Sequence, residues 1–297
     1  MSAYKKLIVF TSVTSLFLFS SAYAGQDGSQ SYVLATGQGA IKRLEVSELA
    51  YGKATKSLFQ ELELSADLNI LIMACGTGEQ LPWLAHLVGP KGHVTCADIS
   101  EMQLQAAKSK GGDLKNVSFL NLDLLDTPHI SSVASQGKFD VVMSRFVLVH
   151  LKDPKTAVKN MLSLVKKGGY LICEEHDVSR IDSYPSNPSI HIAKDYLDRL
   201  AIFRQVDFNY GTKLLSLFHN IGLNSAKIAL STPAFNLGIE KHLLEMSLQE
   251  GKSAYIDAKI ATEPEMKKLI EGIKVFTDDP STWISLGGFF QVFVRVE

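Results

Sequence analysis

The chain has 297 residues, 46% of them hydrophobic, with 30 basic side chains against 31 acidic ones and a formal net charge of −1. With that balance, and with no basic run or stripe of arginine and aromatic residues, a nucleic-acid partner held through its phosphates is excluded. Length and apolar content suffice for one elaborated α/β domain with a full core.

The first 24 residues carry Lys5 and Lys6, apolar stretches at residues 7–10 and 16–19, and the small-residue end Ala22-Tyr-Ala24. That tripartite pattern predicts a secretory signal peptide cut after Ala24, leaving a mature protein outside the membrane. The other reading is an uncleaved anchor, because the segment approaches spanning length, although Thr11, Ser12, Thr14 and Ser15 lower its hydrophobicity. Cleavage would remove two lysines and no acid, taking the formal charge from −1 to −3 and leaving 273 residues.

Residues 25–45 read as an arm whose apolar cluster is Tyr32-Val33-Leu34. Leu49, Ala54, Leu58, Phe59 and Leu62 then recur at helical spacing through residues 47–64. Residues 70–74 are an apolar strand that breaks into the turn Cys75-Gly-Thr-Gly78 and resumes as a helix over residues 80–88. Gly76 and Gly78 lack a Cβ, so the backbone can turn tightly and admit a ligand, and the helix behind presents unpaired N–H groups. A β-branched run from His93 ends in Asp98, a carboxylate placed to accept both hydroxyls of a ribose. A nucleoside cofactor is implied.

Strand and helix signals then alternate, as in a doubly wound parallel sheet. Ser100 opens a helix that stops at Gly111-Gly112, and Asp153-Pro154 caps another. In the latter, Ala157, Val158, Met161, Leu162 and Val165 face the sheet, Lys166-Lys167 fill the last turn and Gly168 ends it. Strands are expected over residues 139–145 and up to Asp177. Past that point come helices over 187–203 and 212–221, a strand over 227–230, helices over 240–273 broken near Gly251, and a final strand over 288–296. The chain thus divides into a leader (1–24), an arm and helix (25–64), and a main domain (65–297) with a helical cover over about 178–222 and 239–275.

The dinucleotide fingerprint needs a third glycine in register, which this turn lacks, so an NAD-dependent oxidoreductase is disfavoured. The turn instead resembles the first motif of class I S-adenosylmethionine (SAM) methyltransferases. From about Tyr32 to Asp177 further motifs follow in family order: Asp98, Asn121-Leu-Asp123, Phe139-Asp-Val-Val-Met-Ser-Arg145, and residues 164–172 as the entry to the fifth strand. The resemblance implies a Rossmann-like sheet of seven strands with the last antiparallel, helical insertions after strands five and six, and SAM as cofactor. It further implies Ala74, Cys75, Gly76 and Gly78 at the methionine end, Asp98 and Ile99 at the ribose, Asp123 accepting from the adenine amine with Leu124 beside the ring, and Arg145 at the cofactor carboxylate. An ion pair is the alternative for Arg145. Tyr32 would cap the site or pack in the core. Two positions depart from the family: Ile72 stands where an acid is usual and Ala74 where a glycine is usual. Either affinity for SAM is lowered or another residue substitutes.

Methyl transfer needs in-line positioning and exclusion of water, with a base only where the acceptor loses a proton. His176 and Glu175 are best placed to be that base, a structural pair being the bland alternative. His150 reads as a core or helix-entry residue. Glu174, Glu175, His176 and Asp177 are adjacent on a strand, so their side chains alternate and no metal site is expected. The spacing of Cys75, Cys96 and Cys173 predicts three small core side chains rather than a disulfide or a zinc site.

The expected function is SAM-dependent methylation of a small-molecule acceptor. The main alternative is an exported Rossmann-like binding protein with a degenerate site and no transfer. Export sits uneasily with a cofactor made in cytoplasm: the protein either meets SAM in another compartment, such as a host cell, or does not depend on it.

Overall fold

Ile70, Leu71, Ile72 and Met73 are all buried, which a strand achieves at the centre of a sheet covered on both faces. In the computed structural model, which describes Leu34 and residues 40–297, they belong to β1 (Asn69–Met73), preceded by α1 (Ile41–Glu61). There follow α2 (Leu81–Val88), β2 (His93–Asp98), α3 (Glu101–Gly111), β3 (Val117–Asn121), α4 (Thr127–Gln136), β4 (Phe139–Arg145), α5 (Pro154–Ser163) and β5 (Val165–Asp177). The second half holds β6 (Ser183–Tyr184), α6 (Pro188–Arg204), α7 (Leu214–Asn220), β7 (Lys227–Ser231) and β8 (Ala234–Phe235). It closes with α8 (Leu243–Glu250), α9 (Lys252–Asp257), α10 (Glu263–Asp278), β9 (Trp283–Ser285) and β10 (Gly288–Arg295).

Seven strands form one sheet in the order β3-β2-β1-β4-β5-β10-β7. The first five run parallel, and β10 is antiparallel to both β5 and β7. The expected doubly wound sheet with an antiparallel last strand is therefore what the chain forms. Its order reverses between β1 and β4, and that switch point opens a crevice beyond the C-terminal strand ends. Leu71 and Met73 pack with α5 and α7 on one face, through Ala157, Met161 and Phe218. Ile70 and Ile72 pack with α1, α2 and α3 on the other, through Phe59, Leu84 and Leu104.

The caps read from sequence form. Asp153 accepts from Thr156 N at 3.0 Å, Asn187 from Ser189 N at 2.8 Å, and Ser100 Oγ from Gln103 N at 3.3 Å. Two boundaries differ. The helix capped by Asp153 stops at Ser163, and Val165 already pairs with Phe139 of β4. Sheet pairing outweighs the helical pattern there, and the extra residues form a bulge through Gly168, at φ +81°, before Tyr170 rejoins the ladder opposite Val141. The first helix starts at Ile41 rather than 47, because Arg43 and Val46 are already buried and Arg43 is tied to Glu250 of α8 at 2.8 Å.

A second core lies above the crevice. Ile190 and Leu200 of α6, Leu248 of α8, and Met266 and Ile273 of α10 meet there, and β6, β9 and β8 form a small sheet beside it. The break near Gly251 separates α8 from α9, and a second break follows before α10. Val46, Ala50 and Tyr51 of α1 pack with Leu243, Leu286 and Phe289, wedging α1 between the sheet and this cover. Among the described residues no helix is long and apolar enough to cross a membrane. The leader and Tyr32 lie outside the described residues.

Candidate active site

Between sheet and cover lies a cavity of about 310 Å³, lined at one end by the turn after β1 and at the other by the segments after β4 and β5 and by α6, α8 and α9. At the first end, Met73 gives way to Ala74 at φ +54°, Gly76 at φ +57° and Gly78 at φ +78°. The two glycines serve different purposes. A Cβ on Gly76 would meet only Leu44 Cδ1 within 4 Å, at 3.4 Å, on the cavity side. A Cβ on Gly78 would come within 2.7 Å of Leu81 and 3.0 Å of Ala107. Gly76 thus leaves ligand space, whereas Gly78 lets α3 approach the turn and is not among the described residues lining the cavity.

Asp98 fastens this end. One carboxylate oxygen accepts from Gly76 N and the other from Ser100 N, each at 2.9 Å, which fixes the carboxylate against the turn at the end of β2. Ala74, Cys75, Ile99, Gln80 and Glu79 complete the wall. Glu79 is engaged by Lys110 of α3 and by Thr77. The Gln80 side-chain amide nitrogen is buried at the cavity wall and has no hydrogen-bond partner among the described residues.

Cys75 and Cys96 are joined in a disulfide across adjacent strand ends, their Cα atoms 5.5 Å apart. This corrects the expectation of three separate core thiols, since only Cys173 is a free cysteine among the described residues. Spacing along the chain carried no sign of the bridge. It arises because β1 and β2 are neighbours, with Ile72 opposite Cys96 and Cys75 N donating to Ala97 O at 3.0 Å.

Of the other expected positions, two lie off the cavity wall and one is engaged in an ion pair. Asp123 is half-buried and accepts from Leu125 N at 2.8 Å, closing its own turn, while Leu124 packs into the core under α5. Neither is among the described residues lining the cavity. Arg145 does line it, but its guanidinium is held by Glu48 of α1 at 2.5 Å and by Thr55 at 3.4 Å. Thr55 in turn donates to the buried Glu174, which also accepts from Gln291 at 2.6 Å. These side chains brace α1 against β4, β5 and β10.

At the far end the proposed acid–base pair splits. Glu175 is fully buried and takes Val147 N and Leu148 N on one oxygen, at 3.0 and 2.7 Å, ordering the segment after β4. Burial pushes its carboxyl up to about 8 against those N–H groups, and it is not among the cavity's lining residues. His176 does line the cavity, stacked on Phe146 at 3.6 Å between ring centres and 10° between planes. Burial, and then the charges of His150 and Arg145, hold its imidazole down at about 3, so it takes up a proton poorly at neutral pH. His150, also on the wall, is lowered to about 4, first by burial and then by Arg43.

Sequence reasoning missed Arg43, Leu44 and Ser47, which α1 adds to the cavity wall, and Phe146 and Gln80. The earlier start of α1 conceals Arg43 and Leu44, and Ser47 opens the expected helix with nothing in its pattern to mark it as facing a cavity. Phe146, at φ +56°, holds a backbone conformation that no pattern of side chains announces.

A family model described as a methyltransferase domain matches residues 64–222, more than half of the chain. Among curated proteins, the demethylmenaquinone methyltransferase of Staphylococcus aureus is 31% identical over 120 residues, 40% of this chain and 48% of that protein. The chain thus spans about half the length of the curated relatives it matches. Among solved structures, a Bacillus halodurans protein assigned as a methyltransferase aligns with a TM-score of 0.52 at 17% identity, over 81% of this chain and 97% of that one. The YcgJ protein of Bacillus subtilis aligns at 0.51 and 14%, over 83% and 99%. At these identities the likeness is one of fold.

Proposed function

This chain belongs to the methyltransferase-domain family, and from that premise we propose that it transfers a methyl group from SAM to a small-molecule acceptor held in the apolar end of the cavity. The observation that carries the reading is the conjunction, in one cavity, of the Gly76 turn fastened to Asp98 and an apolar chamber under the helical cover. The residues present fit the cofactor. Gly76 leaves a cradle that a Cβ would fill, Asp98 sets a carboxylate beside that cradle where a ribose would lie, and the buried Gln80 amide offers a donor to the carboxylate of the methionine part.

SAM supplies a methyl group already activated on a sulfonium. The protein's part is to orient and to exclude water. Asp98 fixes the nucleoside end, Leu44 and Ser47 of α1 close over the turn, and α8 and α9 seal the acceptor end with Leu244, Leu248 and Tyr255. Glu175 keeps the segment after β4 in place and leaves proton removal to other groups, so acceptors that need no strong base fit best. The matched S. aureus relative is described as acting on demethylmenaquinone, and a small apolar acceptor here agrees with that description. We place the protein outside the cytoplasm, a reading supported by the leader pattern and by the Cys75–Cys96 disulfide, which persists in oxidising compartments.

One observation favours the second reading, binding without transfer: Ile72, at the cavity wall, is apolar where the class I pattern that the chain resembles usually has an acid. Incubation with methyl-labelled SAM and fractionated small-molecule extract separates the two. Formation of S-adenosylhomocysteine (SAH) with label in an organic-soluble product supports transfer. Bound SAM with no SAH above the acceptor-free control supports the second reading.

A further inference from the structure

His176 carries chemistry that the methyl-transfer reading leaves unused. Its ring is clamped, with Phe146 stacked on one face and the Tyr51 ring edge-on at 5.1 Å and 79°. Phe146 is itself pinned, its N donating to Glu174 O at 2.9 Å, and it keeps a left-handed backbone to deliver that stack. The ring's Nδ1 is sealed from solvent and has no hydrogen-bond partner among the described residues. A neutral imidazole has one N–H, and an orphaned buried N–H is tolerated less well than an orphaned lone pair. The proton therefore belongs on Nε2, the ring nitrogen left to meet a ligand, and His176 presents a donor rather than a base.

The surroundings define what that donor can meet. Val149, Leu197, Phe208, Leu244 and Leu248 make the chamber apolar, and the Ser247 hydroxyl is spent on Leu243 O at 2.8 Å. The cations on the cavity wall are engaged, Arg43 by Glu250 and Arg145 by Glu48. Burial keeps His150 and His176 uncharged. An anionic ligand would lose its hydration without gaining a free counter-charge from these side chains, and in the SAH-loaded protein the cofactor's sulfur is a neutral thioether.

We propose that His176 is the specificity-determining hydrogen-bond donor of the acceptor chamber, and that the acceptor is an uncharged, largely apolar molecule presenting a carbonyl-type oxygen to His176 Nε2–H. The inference rests on the methyl-transfer reading of the cavity. It separates carbonyl-bearing neutral acceptors from carboxylic acids of the same shape.

The test is calorimetric titration of SAH-loaded protein with 4-butylacetophenone and with 4-butylbenzoate, a ketone and a carboxylate of matched size. The ketone should bind at least about tenfold more tightly than the carboxylate, the anion having to shed its hydration unpaired. His176→Phe should weaken the ketone about fivefold, as expected for one hydrogen bond, and leave SAH affinity within about twofold. His176→Gln, which keeps an amide N–H, should retain most of the ketone affinity. Equal affinity for the two probes, an unchanged ketone affinity in His176→Phe, or no ketone binding to the SAH-loaded parent would overturn the inference. Failure of SAH itself to bind would contradict the methyl-transfer reading instead, and the same pair titrated without SAH would then decide the role of His176.

Discussion

Ala74 sits at φ +54° in the turn after β1, where a Cβ costs roughly 1–2 kcal/mol and glycine is free of it. The backbone keeps the shape that the family's glycine would give, so the departure at this position is paid in stability and not in loop geometry. Ala74→Gly should raise unfolding stability in urea by about 0.5–1 kcal/mol, the relief being partly offset by the greater freedom of an unfolded glycine. A loss of stability would mean that the Ala74 methyl packs to greater effect than it strains. Glu175 gives a prediction of a different sign. Its folded value, about 8, is raised above the ordinary carboxylate range, so between about pH 4.5 and 8 the folded protein holds a proton that the unfolded chain releases. Stability from this group is full below that window and is lost as pH rises through it. Glu175→Gln, which keeps an oxygen for Val147 N and Leu148 N, should flatten the decline of the melting temperature between pH 5 and 8. A parent and variant with parallel melting profiles over that range would refute it. Neither Ala74's conformation nor Glu175's direction was readable in the sequence: the first depends on a turn that relatives build with glycine, the second on which way a strand's alternation falls.

Among the elements, the sheet was readable because each parallel strand is an apolar run bounded by a cap or a glycine, and because Ser100, Asp153 and Asn187 mark helix starts through contacts only a few residues long. What failed to show were features set by neighbouring strands. Val165 leaves its helical pattern to pair with Phe139, and Cys75 meets Cys96 because β1 lies beside β2. The disulfide closes a loop with a sequence separation of 21, which constrains the unfolded chain by about 3 kcal/mol in the loop-entropy description. Treatment with a phosphine reductant should therefore lower the melting temperature by several degrees, and alkylation of the unfolded, unreduced protein should label one thiol, Cys173. Three labelled thiols in the unreduced protein would contradict the bridge. Because the bridge and the Gly76–Asp98 hydrogen bond brace the same turn, reduction should also weaken cofactor binding.

At the scale of the whole molecule, α1 and the helices of the second half close a crevice that the sheet alone leaves open. The sequence announced the cover as helices but not which of their side chains reach the cavity, since that depends on how α1, α8 and α9 pack over the strand ends. Hence Ala74, Cys75, Gly76, Asp98, Ile99, Arg145 and His176 lie at the wall, whereas Gly78, Asp123, Leu124 and Glu175 are not among the described residues that line it. The leader pattern adds an expectation about place: material recovered from outside the cytoplasm should begin at Gly25 by intact mass, and recovery only of cytoplasmic chain retaining Met1 would refute export.

The central claim is that this cavity binds SAM through the turn fastened to Asp98. Removing the Asp98 carboxylate takes away its acceptors for a ribose and leaves Gly76 N and Ser100 N without their partner. Calorimetric titration of SAM into the parent and into Asp98→Ala, with folding of both checked by circular dichroism, measures this directly. The account predicts saturable one-to-one binding by the parent and an affinity at least about tenfold lower in the variant, since hydrogen bonds to charged groups contribute roughly 1.5–3 kcal/mol. No binding by the parent, or equal affinity in a folded Asp98→Ala, would contradict it.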